Sequence, residues 1–267
     1  GAPYRSGRRT PYAGRAARWH HVLGLAGGVL ALTWVVSGLL SLNPWRLFDS
    51  GTARPDLAAY AGGALRADGD APEAQAVIAR LAARGIAARE IEWRRVGGVH
   101  HVLAWSESGA QPHVVDAGGL RPDGVPAERW QAAVHALLPG ARIVERQRLE
   151  RHDLYYVERE PHTMTGQRGR PLPAWRLRFD DAAATWITID PHSGDIVQVL
   201  DGRRRASRWL FAFLHSFDLP ALLGTRPLWD AWMVAFSVAG LGISLTGVVT
   251  GWRRLRRRRP PRADAAA

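Results

Sequence analysis

Two long, uninterrupted apolar stretches dominate the pattern of hydrophobic and polar residues along the chain. The first runs from Val22 to Leu42 and the second from Ala231 to Trp252, and neither contains a charged residue. Because an α-helix rises about 1.5 Å per residue, about 20 apolar residues are enough to cross a bilayer. We therefore predict transmembrane helices over residues 22–43 and 230–252, with a domain between them.

The segment between the spans begins with a polar linker over residues 44–71 and then changes to short periodic patterns. Residues 72–125 are predicted to form a first unit, with an amphipathic helix followed by three strands. Residues 126–202 are predicted to form a second unit, with one helix and four strands. The predicted strands cover 89–96, 99–105 and 113–116 in the first unit, and 141–149, 174–179, 185–190 and 195–200 in the second.

The two units repeat the same order of elements, which predicts an α+β membrane protein with an extracytoplasmic tandem domain. Aspartate and glycine supply the corresponding turns at 115–119 and 189–194. An insertion over roughly 155–173 distinguishes the second unit and is predicted to be a loop. Residues 203–219 are predicted to form an amphipathic helix on the outer membrane surface, which Pro220 ends.

Arginine-rich tails flank the two spans and determine the predicted orientation. Residues 1–21 and 253–267 carry most of the formal net charge of +12, and the positive-inside rule places both tails in the cytoplasm. Four arginines on the outer flank of the second span argue the other way but are outnumbered: Arg203, Arg204, Arg205 and Arg208. The central domain is then periplasmic, at a bacterial inner membrane. It is close to neutral, which does not indicate nucleic-acid binding.

The chain contains no cysteine, which excludes disulfides, thiolate nucleophiles and cysteine-ligated metal sites. Histidines, carboxylates, hydroxyls or a bound cofactor must therefore supply any chemistry. His100 and His101 are adjacent on a predicted strand and face opposite sides of it, so we expect a surface pair, with His113 within reach. No catalytic serine, histidine and aspartate arrangement is recognisable.

Small residues recur at helical spacing in both predicted spans. They are Gly24, Gly28 and Ala31 in the first span, and Gly240, Ser244, Gly247 and Gly251 in the second. Small residues let helix backbones approach closely within a membrane. We expect the two helices to pack together or against a second copy of the chain. The alternative is that these glycines only reflect the usual composition of membrane helices.

Six short motifs are spread over most of the chain. They are Trp19-His20-His21 with Gly24, Trp34-x-x-Ser37-Gly38, Arg208-Trp209-Leu210 with Leu214-His215-x-x-Asp218, Arg226-Pro227-Leu228-Trp229-Asp230, Thr246-Gly247 before Trp252-Arg253-Arg254, and Ile187-Thr188-Ile189-Asp190-Pro191-x-x-Gly194. Together they resemble the PepSY-associated transmembrane proteins of bacterial inner membranes. Larger relatives with four spans include reductases of siderophore iron, which carry b-type haem between histidines of their membrane helices.

The resemblance implies candidate haem ligands, because a neutral imidazole is a suitable axial ligand. They are His20 or His21 at the inner end of the first span and His215 near the outer side. Asp218 is a candidate to orient the imidazole of His215, and Arg208 to meet a haem propionate or an acidic lipid. The alternative is an interfacial helix in which His215 has no ligand role. The two ends are separated by about 30 Å, so two haems in a symmetric dimer would be needed.

Three functions are consistent with these features. The first is a periplasmic binding or regulatory module that acts on a protein partner. The second is a haem b electron carrier or a component of a ferric reductase, working as a dimer. The third is an accessory subunit whose helices dock beside a larger membrane protein. The chain is expected to contact the lipid bilayer and a membrane or periplasmic protein, or a second copy of itself. We assign no catalytic residue, and no metal other than a haem iron.

Overall fold

The structure is a computed structural model, and it describes residues 11–12, 14–49, 54–64, 71–107, 111–158 and 169–257. The helices are α1 Arg15–Ser41, α2 Leu57–Ala61, α3 Ala74–Ala82, α4 Ala127–Ala133, α5 Gly202–Ser207, α6 Leu214–Ser216, α7 Pro220–Leu223 and α8 Arg226–Arg257. The strands are β1 Ala88–Val96, β2 Val99–Ser106, β3 His113–Asp116, β4 Gly119–Arg121, β5 Ile143–Leu149, β6 Ala174–Phe179, β7 Trp186–Ile189 and β8 Ile196–Leu200. Turns of 3₁₀-helix cover Pro44–Arg46 and Val134–Ala136, and a π-helical turn covers Arg208–Phe213.

The chain divides into two compact units. The helical unit comprises residues 1–45 and 209–267, and the sheet unit comprises residues 46–208. The outer parts of the basic tails, residues 1–10 and 258–267, lie outside the described residues.

The helical unit contains two helices that are long and apolar enough to cross a membrane, Arg15–Ser41 and Pro227–Arg256. The two apolar stretches of the sequence therefore lie in such helices, as predicted. α8 begins at Arg226, one turn before the predicted start of the second span. Pro227 is tolerated there because the first helical turn has no intrahelical partner for its backbone N–H groups.

Large apolar side chains remain exposed along most of both long helices. They include Leu25, Val29, Leu32 and Val35 of α1, and Val234, Val238, Leu241, Leu245 and Val248 of α8. Such an extended aliphatic surface is unfavourable in water and is typical of a helix surrounded by lipid. Burial and composition therefore agree on a membrane protein.

The sheet unit contains two four-stranded antiparallel sheets, with strand orders β1-β2-β3-β4 and β5-β6-β7-β8. We call α3 with β1 to β4 the first repeat, and α4 with β5 to β8 the second repeat. A bulge interrupts the first strand pair of each sheet at the corresponding place, between Ala88 and Glu90 and between Ile143 and Glu145. The first repeat has a fourth strand where the sequence predicted three, because a three-residue strand is too short to show a periodic pattern.

The two repeats share one hydrophobic core. Its buried members come from the first sheet, from α4 and the turn after it, and from the second sheet: Leu103, Val114, Trp130, Val134, Leu137, Leu177, Ile187 and Ile189. A second cluster lies between α3 and the other face of the first sheet, with Val77, Leu81, Val102, Ala104 and Val115. The repeats therefore form one folded unit rather than two independent ones.

The linker predicted over 44–71 contains a structured element that the sequence pattern did not show. Asp56 caps the start of α2, since its Oδ1 accepts a hydrogen bond of 2.8 Å from the backbone N–H of Ala59. The buried Tyr60 donates from its hydroxyl to the carbonyl of Gly194 at 2.7 Å. This segment is therefore part of the fold. Residues 50–53 and 65–70 of the linker, and residues 159–168 of the predicted insertion, lie outside the described residues.

The helix predicted over residues 203–219 is present as a continuous helical segment over residues 202–216, with a π-helical turn inside it and an end three residues earlier than predicted. The segment consists of α5, the π-helical turn and α6, in that order. The last helical turn ends at Phe217, whose φ of 49° is left-handed. Asp218 therefore does not continue the helical face that carries His215, although Phe211 does contact the His215 ring at 5.0 Å between centroids.

Candidate functional site

Small residues bring α1 and α8 into close contact, although not all of those that the sequence pattern indicated. A side chain added at Gly27 would begin 3.4 Å from Ile243, and one added at Gly242 would begin 2.9 Å from Leu23. Nothing lies within 4 Å of such a position at Gly24 or Gly28. The first helix therefore packs through Gly27, and Gly24 and Gly28 have no neighbour that close, because the rotation of a helix about its axis depends on its neighbour.

His20 is held by two hydrogen-bonding groups of α8. Its Nδ1 lies 3.1 Å from the carbonyl oxygen of Ile243 and 3.2 Å from Oγ1 of Thr246. A carbonyl only accepts, so Nδ1 carries the proton. The Thr246 hydroxyl donates to the carbonyl of Gly242 at 2.7 Å and so also presents a lone pair to His20. With the proton on Nδ1, the free lone pair of the imidazole is on Nε2, which is the usual arrangement of a histidine that ligates a metal.

A cavity of about 800 Å³ lies at this end of the helix pair. Its lining includes His20, His21, Gly24, Gly247, Gly251, Arg253 and Arg254. The volume falls within the range of about 300 to 1,000 Å³ that is usual for ligand and cofactor sites. Glycines leave flat walls, and the two arginines add positive charge at one end. The His21 ring contacts Tyr12, with 5.1 Å between centroids.

These residues fit the haem that the family resemblance implies. A flat macrocycle needs walls without side chains, an imidazole with an available lone pair, and cations for its carboxylates. Glycines, His20 and the two arginines respectively meet these three needs around the same cavity.

His215 lies in a different environment, packed among aromatic rings. Its Nδ1 is 3.1 Å from Oγ of Ser37, and that hydroxyl donates to the carbonyl of Trp34 at 3.1 Å. The Ser37 oxygen therefore accepts the Nδ1 proton of His215. The rings of Phe211 and Trp34 lie 5.0 and 6.3 Å from the His215 ring between centroids. The buried Nε1 of Trp34 has no hydrogen-bond partner among the described residues.

The two histidine environments are far apart. Ser37 lies about five helical turns after His20 in α1, a rise of about 25 Å. His20 and His215 therefore cannot ligate one iron within one chain, as the sequence predicted. Within the described ranges, no group of three or more histidine and carboxylate side chains could hold a metal ion by itself.

No described contact tests the roles predicted for Asp218, as the residue that orients His215, and for Arg208, as a partner of a propionate or a lipid. Asp218 is buried, at 1% exposure, beyond the helix end at Phe217. The described partner of His215 Nδ1 is Ser37. Arg208 belongs to the sheet unit, where its Nε donates to the carbonyl of Leu154. Both roles stay predictions.

The turn between β7 and β8 forms a second polar cluster, which fastens the second repeat to the rest of the sheet unit. Ser193 donates from its hydroxyl to Oδ2 of Asp190 at 2.7 Å, and its carbonyl accepts from Nε2 of His101 at 3.0 Å. Arg94 donates from Nε to Oδ1 of Asp195 at 3.1 Å. The hydroxyl of Tyr60 also reaches this turn, as described above.

The surface pair predicted for His100 and His101 is wrong, because both side chains are buried, at 5% and 0% exposure. Burial lowers the pKa of His101 to about 4, and the positive charges of Arg129 and Arg94 act in the same direction. Burial also raises the pKa of Asp195. His101 therefore serves as a neutral hydrogen-bond donor between the two repeats.

Sequence reasoning found the histidines of the helical unit by residue type but missed their partners. Thr246 belongs to a quoted motif, yet nothing in the sequence indicated that it would meet His20. Comparison of the chain with protein-family models, with curated proteins and with solved structures finds no match. Inferences about function therefore rest on the residues described above.

Proposed function

We propose that this protein is a PepSY-associated inner-membrane protein whose helical unit binds a b-type haem and carries electrons. The observation that supports the proposal best is the state of His20. Its Nδ1 proton is committed to the carbonyl of Ile243, and its ring lines a glycine-walled cavity. A histidine whose Nδ1 proton is already donated to a carbonyl has Nε2 available for a metal ion.

Each residue around the cavity has a separate role in this proposal. His20 would ligate the iron through Nε2, and Thr246 with the Ile243 carbonyl keeps the imidazole in its orientation. Gly24 and Gly251 leave room for the macrocycle, and Arg253 and Arg254 pair with its propionates. When bound, the haem supplies one-electron chemistry, and His215 is kept as a candidate ligand for a second haem.

The proposed topology follows from the arginine-rich tails. Both tails lie in the cytoplasm, so the His20 cavity is at the inner side of the membrane and the sheet unit is periplasmic. In this arrangement a haem in the His20 cavity would exchange electrons near the cytoplasmic side. A binding or regulatory role of the sheet unit is a separate proposal, since it does not depend on haem.

The decisive experiment compares two glycine variants of the same helix. Gly24 lines the cavity, so Gly24→Leu should fill it. Gly28 lies one turn further along α1 and does not line the cavity, so Gly28→Leu should leave it open. A Cβ added at either position meets no atom within 4 Å, and both substitutions replace glycine in a helix, so their effects on folding should be similar. The protein is purified in mild detergent from cells supplied with haem, and the dithionite-reduced minus oxidised spectrum is recorded.

We expect a b-type spectrum in the parent and in Gly28→Leu. In Gly24→Leu and His20→Ala, the part of the spectrum that survives His215→Ala should fall by at least about nine tenths, since a lost ligand or site costs several kcal/mol. His215→Ala should retain a signal if only the inner site binds haem. A parent protein without any haem spectrum would overturn the proposal. Equal spectra in Gly24→Leu and Gly28→Leu would remove the haem from this cavity.

A further inference from the structure

The described residues of the helical unit carry their arginines mainly at one end. α1 and α8 run antiparallel, because His20 lies against Thr246 whereas a side chain added at Gly240 would begin 3.9 Å from Trp34. The first turn of α1 and the last turns of α8 therefore lie at the same end of the helix pair. Five exposed arginines occupy this end, which we call the arginine face: Arg15, Arg18, Arg253, Arg254 and Arg256.

No negative charge balances the arginine face within the described part of the chain. α1 contains no carboxylate, and the carboxylate of α8, Asp230, lies toward the opposite end of that helix. Arg256 lies over the ring of Trp252, 5.1 Å from its centroid, and no described residue forms an ion pair with any of the five arginines. In the sequence, residues 1–21 and 253–267 together hold twelve arginines and one carboxylate, Asp264. A surface of one sign attracts a partner of the opposite sign.

Three of the five arginines lie outside the proposed haem site. Arg253 and Arg254 line the cavity and are assigned to the propionates above, whereas Arg15, Arg18 and Arg256 do not line it. These three positive charges are therefore available to a second anionic partner at the same end of the helix pair. Charges beside a redox site raise the rate at which an oppositely charged donor associates with it.

Two exposed tryptophans indicate where this end lies relative to a bilayer. Trp19 and Trp252 are 56% and 57% exposed, and tryptophans of membrane helices concentrate at the membrane–water interface. Arg15 and Arg256 each lie about one helical turn further out, a rise of about 6 Å. They are therefore on the aqueous side of that interface, where a soluble protein can reach them. Lipid phosphates are the competing anions.

We propose that the arginine face is the docking surface for an acidic, soluble protein that donates single electrons to the haem. This inference rests on the proposed function and names the class of its electron donor. The donor loses one electron and the ferric haem gains it, so no atom is transferred. Complementary charge suits such a transient encounter, and the guanidinium fork of arginine matches a carboxylate.

The test measures how fast two donors of opposite charge reduce the haem. The purified full chain in neutral detergent is mixed in a stopped-flow instrument with flavodoxin hydroquinone, an acidic protein donor, or with the methyl viologen radical, a small cationic donor. We expect the rate constant with flavodoxin to fall at least about tenfold between low salt and about 0.5 M salt, because salt screens the attraction. The rate constant with methyl viologen should not fall.

A charge reversal with a matched control locates the attraction on the molecule. Arg18→Glu reverses one charge of the arginine face outside the cavity, and it should lower the low-salt rate constant with flavodoxin at least about threefold. Arg84→Glu makes the same change in net charge at an exposed position of the sheet unit and should leave that rate constant nearly unchanged. Both variants should keep the haem spectrum and the rate constant with methyl viologen. Arg15→Glu is the second variant of the arginine face if Arg18→Glu does not accumulate.

The outcomes separate this inference from the proposed function. A parent protein without haem overturns both. A haem whose reduction by flavodoxin responds neither to salt nor to Arg18→Glu, or responds equally to Arg84→Glu, overturns the docking surface alone. The measurement is repeated in nanodiscs that contain phosphatidylglycerol, where the difference between the parent and Arg18→Glu should persist. Its loss there would assign the arginines to lipid headgroups and overturn the proposal.

Discussion

The two repeats of the sheet unit have the same strand order and the same bulge, yet they differ in which part is covered. In the first repeat, edge strand β1 is half-buried from Ile91 onward, and Trp93 donates from Nε1 to the carbonyl of Pro72 at 2.9 Å. In the second repeat, edge strand β5 is exposed. The turns that follow β3 and β7 differ in the opposite sense, because the turn of the second repeat is the more buried one.

The turn of the first repeat is held mainly by arginine side chains, whereas that of the second is built into the core. Asp116 accepts from Nε of Arg121 at 2.9 Å, and Arg121 is half-exposed. Asp190 accepts instead from the buried hydroxyl of Ser193. The two repeats therefore differ in what they contribute: the turn of the second repeat packs into the shared core, and the edge strand of the second repeat stays accessible.

The largest expected loss of stability comes from a substitution at Gly124, which contacts the turn of the second repeat. Gly124 has a φ of +83°, and a Cβ added there would lie 2.4 Å from the carbonyl oxygen and 2.6 Å from the Cα of His192. Both are backbone atoms of the second turn and cannot move aside. We expect Gly124→Ala to lower the free energy of unfolding by about 4 kcal/mol, measured from the most protected amides of β2 and β6.

Gly85→Ala is the matched control for this prediction. Gly85 has a φ of +73°, but nothing lies within 4 Å of an added Cβ. It should therefore cost only about 1 kcal/mol, the strain of the left-handed backbone alone. Equal losses in the two variants would mean that the close approach to His192 does not fasten the repeats.

The sequence predicted the elements whose pattern is local and missed those that depend on a distant partner. The two spans and the strands of the second repeat follow from apolar runs and alternation. Burial of His101 does not, because its acceptor on Ser193 is 92 residues away in the chain. α2 was missed for a similar reason, since a five-residue helix shows little periodicity and is fixed by the contact of Tyr60 with Gly194.

The candidate site shows the same division between local features, which were predicted, and distant partners, which were not. Residue type and motif singled out His20 and His215, but the partners Ile243 and Thr246 depend on how α1 and α8 are aligned. The choice of Gly27 over Gly24 as the packing residue also depends on that alignment. An apolar helix does not determine its own rotation, because its hydrophobic residues surround it on all sides.

The second largest expected effect is the loss of unfolding free energy on acidification, through the hydrogen bond of His101 between the repeats. Burial lowers the pKa of His101 from about 6.5 to about 4, so the unfolded chain takes up a proton before the folded one does. The contribution of His101 to stability is therefore complete above about pH 6.5 and is lost as the pH falls toward 4, by about 3 kcal/mol in total. Urea unfolding of the parent and of His101→Gln across this range measures it. A parallel pH dependence in the two proteins would contradict the prediction.

A smaller effect should distinguish the two aspartate turns directly. Ser193→Ala removes a hydroxyl that donates to a carboxylate inside the core, and the loss of a hydrogen bond to a buried charged acceptor costs about 2 kcal/mol. Arg121→Gln removes the corresponding donor to Asp116 at a position where the arginine side chain is 44% exposed. Water replaces such a donor, so this loss should be about 0.5 kcal/mol. Urea unfolding at pH 7 gives both losses, and their ratio measures how unequally the two turns contribute to stability. A larger loss in Arg121→Gln would show that the turn of the first repeat contributes more.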